Sequence, residues 1–202
     1  MKPFLKIVLL IAALALSSSA QATKNILVFG DSLSAGYGIA RDASWVNLLR
    51  QELRQSHPQF EVANASISGE TTAGGVRRIG KALQQHQPAV VIVGLGANDG
   101  LRGSTIGETE KNLSAIISRS RRANAKVLLL GIRLPPNYGL DYTRQFHALY
   151  PRLAKRHNVA LVPFMLEGIA PEQFQADNLH PTAAAQPRIM HNIMQSLLPL
   201  LH

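Results

Sequence analysis

Ala89-Val90-Val91-Ile92-Val93-Gly94-Leu95 is an almost wholly apolar run of seven residues, rich in β-branched side chains. It alternates with nothing polar, so a strand built from it must be covered on both faces, as in a parallel sheet sandwiched by helices. The flanking sequence repeats the theme. Upstream lie two further apolar runs, Ile26-Leu27-Val28-Phe29 and Phe60-Glu61-Val62; downstream lie Lys126-Val127-Leu128-Leu129-Leu130 and Val159 to Val162. Between and after them, apolar residues recur at helical spacing: Trp45, Val46, Leu48, Leu49 and Leu53; Val76, Ile79 and Leu83; Ile106, Leu113, Ile116 and Ile117 behind a Thr105-x-x-Glu108 capping box; Ile189, Ile193 and Leu197 at the end. Asp141 is expected to cap a further helix bearing Tyr142, Phe146, Leu149 and Leu153, and Pro151 is expected to kink it or end it early. Five strands alternating with five helices predict an α/β fold, a three-layer α/β/α sandwich around a five-stranded parallel sheet, with right-handed crossovers. Ligands then bind beyond the carboxyl ends of the strands.

The first 22 residues read differently. Lys2 and Lys6 precede ten unbroken apolar residues, Ile7 to Leu16, and the stretch closes on Ala20-Gln21-Ala22, a small-x-small cleavage pattern. Ten residues fall short of the roughly 17 to 25 that span a bilayer. Residues 1–22 are therefore expected to be a cleaved signal peptide, with a single domain over residues 23–202 and a periplasmic or secreted location. The chain has no cysteine, which excludes a lipoprotein anchor, thiolate metal sites and a cysteine nucleophile. It also fits an exported domain with a core large enough to need no disulfide. Without Lys2 and Lys6, 19 basic residues face 12 acidic ones, a net charge of +7. That excess suits transient contact with an anionic membrane surface. The basic residues are spread over several helices, however, and with so few aromatics no nucleic-acid partner is expected.

The polar residues worth weighing follow the strands. Gly30-Asp31-Ser32-Leu33-Ser34 places Ser32 where a helix begins, with backbone N–H groups that stabilise an anion; alone, Ser32 is equally a helix cap. Gly69 closes Asn64-Ala65-Ser66-Ile67-Ser68-Gly69, and its N–H can face a substrate unobstructed. In Gly94-Leu95-Gly96-Ala97-Asn98-Asp99-Gly100, Asn98 offers a neutral donor to a developing oxyanion; asparagine is also an ordinary turn former. The third glycine of a dinucleotide fingerprint is missing there, and no phosphate-loop lysine follows. Asp177-Asn178-Leu179-His180 can orient an imidazole on a carboxylate. Gly-x-Ser-x-Gly, Ser-x-x-Lys and His-Glu-x-x-His are absent.

Taken together, Gly30-Asp31-Ser32-Leu33, Gly69, Gly96-x-Asn98-Asp99 and Asp177-x-x-His180 resemble, in order and spelling, the conserved blocks of the GDSL/SGNH hydrolases, from about Thr23 to the C-terminus. Asn98-Asp99-Gly100-Leu101-Arg102-Gly103 and Leu134-Pro135-Pro136-Asn137-Tyr138-Gly139 are similar to segments of the bacterial periplasmic thioesterase, lysophospholipase and arylesterase group. Ala97 departs from that group, which usually has glycine there. The resemblance implies the flavodoxin-like SGNH-hydrolase fold, with a Ser32–His180–Asp177 triad. It implies an oxyanion hole from the N–H groups of Ser32 and Gly69 and the Asn98 amide. No cofactor or metal is implied.

The expected reaction is acyl transfer. Ser32 attacks an ester or thioester carbonyl, His180 takes its proton, and water later frees the acyl chain. Because His180 must be neutral to act as base, activity should rise from acidic toward mildly alkaline pH. The resemblance points to small-molecule acyl substrates, lysophospholipids among them; a monomer is expected. Leu101, Leu134, Pro135 and Tyr138 are expected to line the substrate pocket. Two alternatives stay open: a carbohydrate O-deacetylase using the same triad, and a non-catalytic periplasmic ligand-binding protein in which Ser32 only caps a helix.

Overall fold

A computed structural model of the chain describes residues 23–202; the expected signal peptide, residues 1–22, lies outside them. Five strands, β1 (Lys24–Gly30), β2 (Phe60–Asn64), β3 (Val90–Gly94), β4 (Lys126–Leu130) and β5 (Ala160–Val162), form one sheet in the order β2-β1-β3-β4-β5. Every neighbouring pair is parallel, and Gly30 stands opposite Gly94 where β1 and β3 end together. The chain first steps from β1 to β2 on one side, then returns to place β3 on the other. Diverging connections open a crevice at the carboxyl ends of β1 and β3, where such sheets bind ligands.

Burial follows the apolar runs. All five residues of β3 are buried, as are Ile26–Phe29 of β1 and Val127–Leu130 of β4. The helices are α1 (Ser32–Ala35), α2 (Trp45–Ser56), α3 (Thr72–His86), α4 (Ala97–Leu101), α5 (Ile106–Arg122), α6 (Leu140–His157) and α7 (Gln186–Leu197). α3 packs on α5 and α5 on α6, while α2 packs on α7, which gives the helical layers of the sandwich. Sequence periodicity shows the five long helices but not α1 and α4, which are only four and five residues long. A one-turn helix carries no repeat to detect.

Local chemistry sets most helix starts. Ser44, Thr71 and Thr105 each accept a hydrogen bond from a first-turn N–H of the helix that follows. Two expectations about α6 need correction. Gly139, not Asp141, holds the N-cap position, and Asp141 sits in the first turn, still well placed against the helix dipole. Pro151 does not end the helix early, since α6 runs on to His157. Phe146, Leu149, Tyr150, Leu153 and Ala154 are buried on both sides of the proline and pin the two halves to the core, while Pro151 itself faces solvent. Water can therefore serve the carbonyl that the missing N–H leaves unpaired.

The single tryptophan joins layers. Trp45 is fully buried, its indole Nε1–H donates to the Leu33 carbonyl at 3.0 Å, and its backbone N–H donates to Gln186 Oε1 at 3.0 Å. That clamp fixes α2 and α7 against the segment that carries Ser32.

Candidate active site

β1 delivers Ser32 directly. The strand stops at Gly30, Asp31 takes the N-cap position, and its Oδ1 accepts the Leu33 N–H at 3.1 Å, which turns the chain into α1 with Ser32 as its first residue. Asp31 is fully buried and its Oδ2 has no hydrogen-bond partner. Burial pushes its carboxyl up to about 7, and the nearby Asp99 and Glu70 charges add to this, while the Leu33 N–H opposes.

Asp177 and His180 arrive from the other end of the chain, after β5. Asp177 Oδ1 accepts the N–H groups of Leu179 at 2.9 Å and His180 at 3.0 Å, an Asx turn that folds the segment back on itself. Asn178 takes a left-handed conformation at φ 56° to close it. The turn leaves Asp177 Oδ2 at 2.6 Å from His180 Nδ1, so the three-residue spacing alone brings carboxylate and ring together. Partial burial acts to raise the Asp177 carboxyl, but the backbone and ring hydrogen bonds from His180, with the Leu179 N–H, outweigh it and hold it down at about 2. With Nδ1 committed to a carboxylate, Nε2 is the acceptor that faces Ser32 Oγ, 2.8 Å away. Tyr37 packs its ring against that of His180, with centroids 4.6 Å apart.

The opposite wall comes from β2 and β3. Gly96 leads into α4 at φ 120°, and any Cβ there would meet the Tyr150 hydroxyl, which donates to the Leu95 carbonyl. Asn98 follows, with its Nδ2 donating to the Glu70 carbonyl at 3.0 Å. Asp99 is buried and ties α4 to α3, accepting the Thr72 N–H at 2.8 Å and the Thr72 hydroxyl at 2.5 Å. Gly69 lies beside this wall at φ 78° with open space where a side chain would be, and its carbonyl accepts from Arg102 at 3.2 Å. Arg78 joins the loops, donating to the Ala65 carbonyl and pairing with the Glu70 carboxylate at 2.5 Å.

Ser32, His180 and Asn98 open onto one cleft of about 490 Å³, whose exposed lining is mostly apolar. Leu101, Leu134 and Pro135 line it as anticipated. Tyr138 does not. Pro136–Tyr138 form a short 3₁₀ turn, and its ring is carried out toward solvent. Asp177 and Gly69 stand behind and beside the cleft rather than on its surface. No sequence motif marks three further lining residues, Ile132 and Leu166, which follow β4 and β5, and Leu179 inside the Asx turn. The strand-end rule points to the first two; only the fold reveals the third. Among the described residues, no helix is long and apolar enough to cross a membrane.

A sequence profile of the GDSL-like lipase/acylhydrolase family matches residues 28–187, most of the chain. The chain belongs to this family. Similarity to individual members extends nearly end to end. Esterase TesA of Pseudomonas aeruginosa is 45% identical over 191 residues, covering 94% of this chain and 95% of that protein. The thioesterase 1/protease 1/lysophospholipase L1 of Escherichia coli K12 is 43% identical over 202 residues, covering 99% and 93%. The crystal structure of a psychrotrophic esterase EstA from Pseudoalteromonas, inhibited by monoethylphosphonate, superposes with a TM-score of 0.83 at 38% identity, covering 88% of this chain and 98% of that one. As a member of the GDSL-like family the chain is a carboxylic-ester hydrolase, and its substrates are small-molecule esters.

Proposed function

We propose that the chain is a fatty-acyl ester and thioester hydrolase in which Ser32 is the nucleophile, His180 the general base and Asp177 the residue that orients the base and stabilises its protonated form. The observation that carries this reading is the unbroken relay from Asp177 Oδ2 through the His180 ring to Ser32 Oγ, with links of 2.6 and 2.8 Å, opening onto an apolar cleft. As Ser32 Oγ attacks the acyl carbonyl, its proton passes to His180 Nε2. Asp177, ionised at any working pH because its carboxyl is held at about 2, stabilises the imidazolium. The oxyanion is met by the N–H groups of Ser32 and Gly69 and by the Asn98 amide. His180 then protonates the leaving alcohol or thiol, and a water activated by the same ring releases the acid from Ser32.

The apolar cleft favours an acyl chain over an acetylated sugar, which needs polar partners for its hydroxyls. Residues 1–22, removed by cleavage after Ala22, would direct export of the chain to the periplasm or beyond. There, lysophospholipids are better candidates than acyl-CoA, a cytosolic metabolite, and the net charge of +7 draws the monomer transiently to anionic headgroups. The names of the relatives, esterase and thioesterase/lysophospholipase, agree with this substrate class.

The test is hydrolysis of p-nitrophenyl esters from acetate to palmitate by residues 23–202 and by Ser32→Ala. Loss of about 10⁴-fold or more in kcat on the substitution, with ester chains longer than acetate preferred, is the expected result. Equal rates for the two proteins would remove Ser32 from the mechanism, and a preference for acetate would return the deacetylase reading.

A further inference from the structure

The cleft at Ser32 does not end at Leu134. Beyond that side chain lies a second hollow, an open shelf of about 720 Å³ walled by Pro136, Leu140, Thr143 and His147; Arg133 and Leu134 belong to both hollows. The exposed lining of the shelf is mostly apolar, and Leu140 is 80% exposed, more than any other large hydrophobic side chain among the described residues. Its charged neighbours are already engaged. The Arg133 guanidinium lies 4.6 Å over the Phe164 ring and pairs with Glu167 at 3.6 Å, while Arg144 pairs with Asp141. What the two arginines then offer the shelf is their hydrocarbon stems. Burial and the Arg133 charge push the His147 imidazole down, which keeps it neutral near pH 7.

A leucine so open is unremarkable when isolated. Leu140 is not isolated, because it continues an apolar path that starts at the nucleophile. We propose that this shelf is a distal acyl subsite, taking the methyl end of chains too long for the cleft at Ser32, and that Leu140 sets chain-length preference. The inference rests on the fatty-acyl reading above. An acyl carbonyl held at Ser32 points its chain between Leu101 and Leu134, and a long chain leaving that compartment passes Leu134 onto Leu140, where its last methylenes are withdrawn from water.

The measurement is the ratio of kcat/KM for p-nitrophenyl dodecanoate to that for the butanoate, with both esters kept monomeric. Wild type is compared with Leu140→Asp and Leu140→Phe. An acid at this first helical position suits the dipole of α6, so Leu140→Asp keeps the fold. The ratio should fall about tenfold in Leu140→Asp and hold or rise in Leu140→Phe. An unchanged ratio in Leu140→Asp overturns the shelf while leaving a Ser32 hydrolase in place. Failure of wild type to hydrolyse either ester in a Ser32-dependent way overturns the fatty-acyl reading, and the shelf with it.

Discussion

Asn98 carries two amide hydrogens, and the Glu70 carbonyl takes one of them at 3.0 Å. That bond fixes the plane of the carboxamide before substrate arrives, so that in the proposed mechanism the second hydrogen meets the oxyanion with little reorganisation. Asn98→Ala should therefore lower kcat by about 10²- to 10³-fold with a much smaller change in KM, read from p-nitrophenyl ester kinetics. An equal loss in binding would mean that Asn98 holds the ground state instead. Asp31, one residue before Ser32, has a different consequence. Its carboxyl ionises near 3.8 when unfolded but only at about 7 in the native protein. Between those values the unfolded chain gives up the proton first, so Asp31 subtracts stability as pH rises from about 4 to about 7, and the loss is complete above that. Asn at this position keeps an oxygen for the Leu33 N–H and cannot ionise. In urea unfolding, Asp31→Asn should gain on wild type between about pH 5 and about pH 8; an equal difference at both pH values would show that Asp31 does not titrate in this window. Ser32, Asn98 and the Asp177–His180 pair can be read from the sequence because their chemistry resides in residue type and spacing. The Asp31 shift cannot, because it comes from burial among strands and loops that only the fold assembles.

At the scale of elements, apolar patterning located every strand, and the five long helices, because each buries a continuous face or stripe. In α6 a local rule and a tertiary one conflict over where the helix ends. Pro151 removes an N–H and crowds the preceding turn, which in an isolated helix would end it. Here five buried side chains around it anchor α6 from Leu140 to His157, and their packing outweighs the local penalty. The penalty is still present in the native state. Pro151→Ala restores a donor to the His147 carbonyl and should raise the unfolding free energy by about 1 to 3 kcal/mol, offset in part by the greater freedom it gives the unfolded chain. Urea titration monitored through Trp45 fluorescence would measure it. A variant no more stable than wild type would mean that the helix has adapted its backbone fully to the proline. Tyr138 teaches a related lesson. Its place four residues after Leu134 suggested the same wall, but a 3₁₀ turn reverses direction within that span.

For the whole molecule, the question is how two ends of a chain meet within hydrogen-bonding distance. Ser32 and His180 are 148 residues apart. Ser32 is fixed by β1 and the core. His180 sits in the long connection between β5 and α7, where no strand ladder holds it. Phe174 makes an isolated bridge to Pro181, the Gln175 N–H donates to the His180 carbonyl at 2.8 Å, and the Gln175 side chain reaches across to the Tyr37 carbonyl at 2.9 Å and to the Pro181 carbonyl at 3.1 Å. Gln175 is thus a side chain that ties the turn bearing His180 to the loop beyond Ser32, and nothing in its sequence surroundings marks it. The fold itself does not depend on it, since the sheet and both helical layers are complete without this contact. Gln175→Ala should therefore separate catalysis from stability: kcat falls by roughly 10- to 100-fold as His180 drifts from Ser32, while the unfolding free energy drops by only about 1 kcal/mol. If kcat holds, the Asx turn and the Tyr37 ring position His180 unaided. If stability falls along with kcat, the connection is part of the cooperative core rather than a strap laid over it.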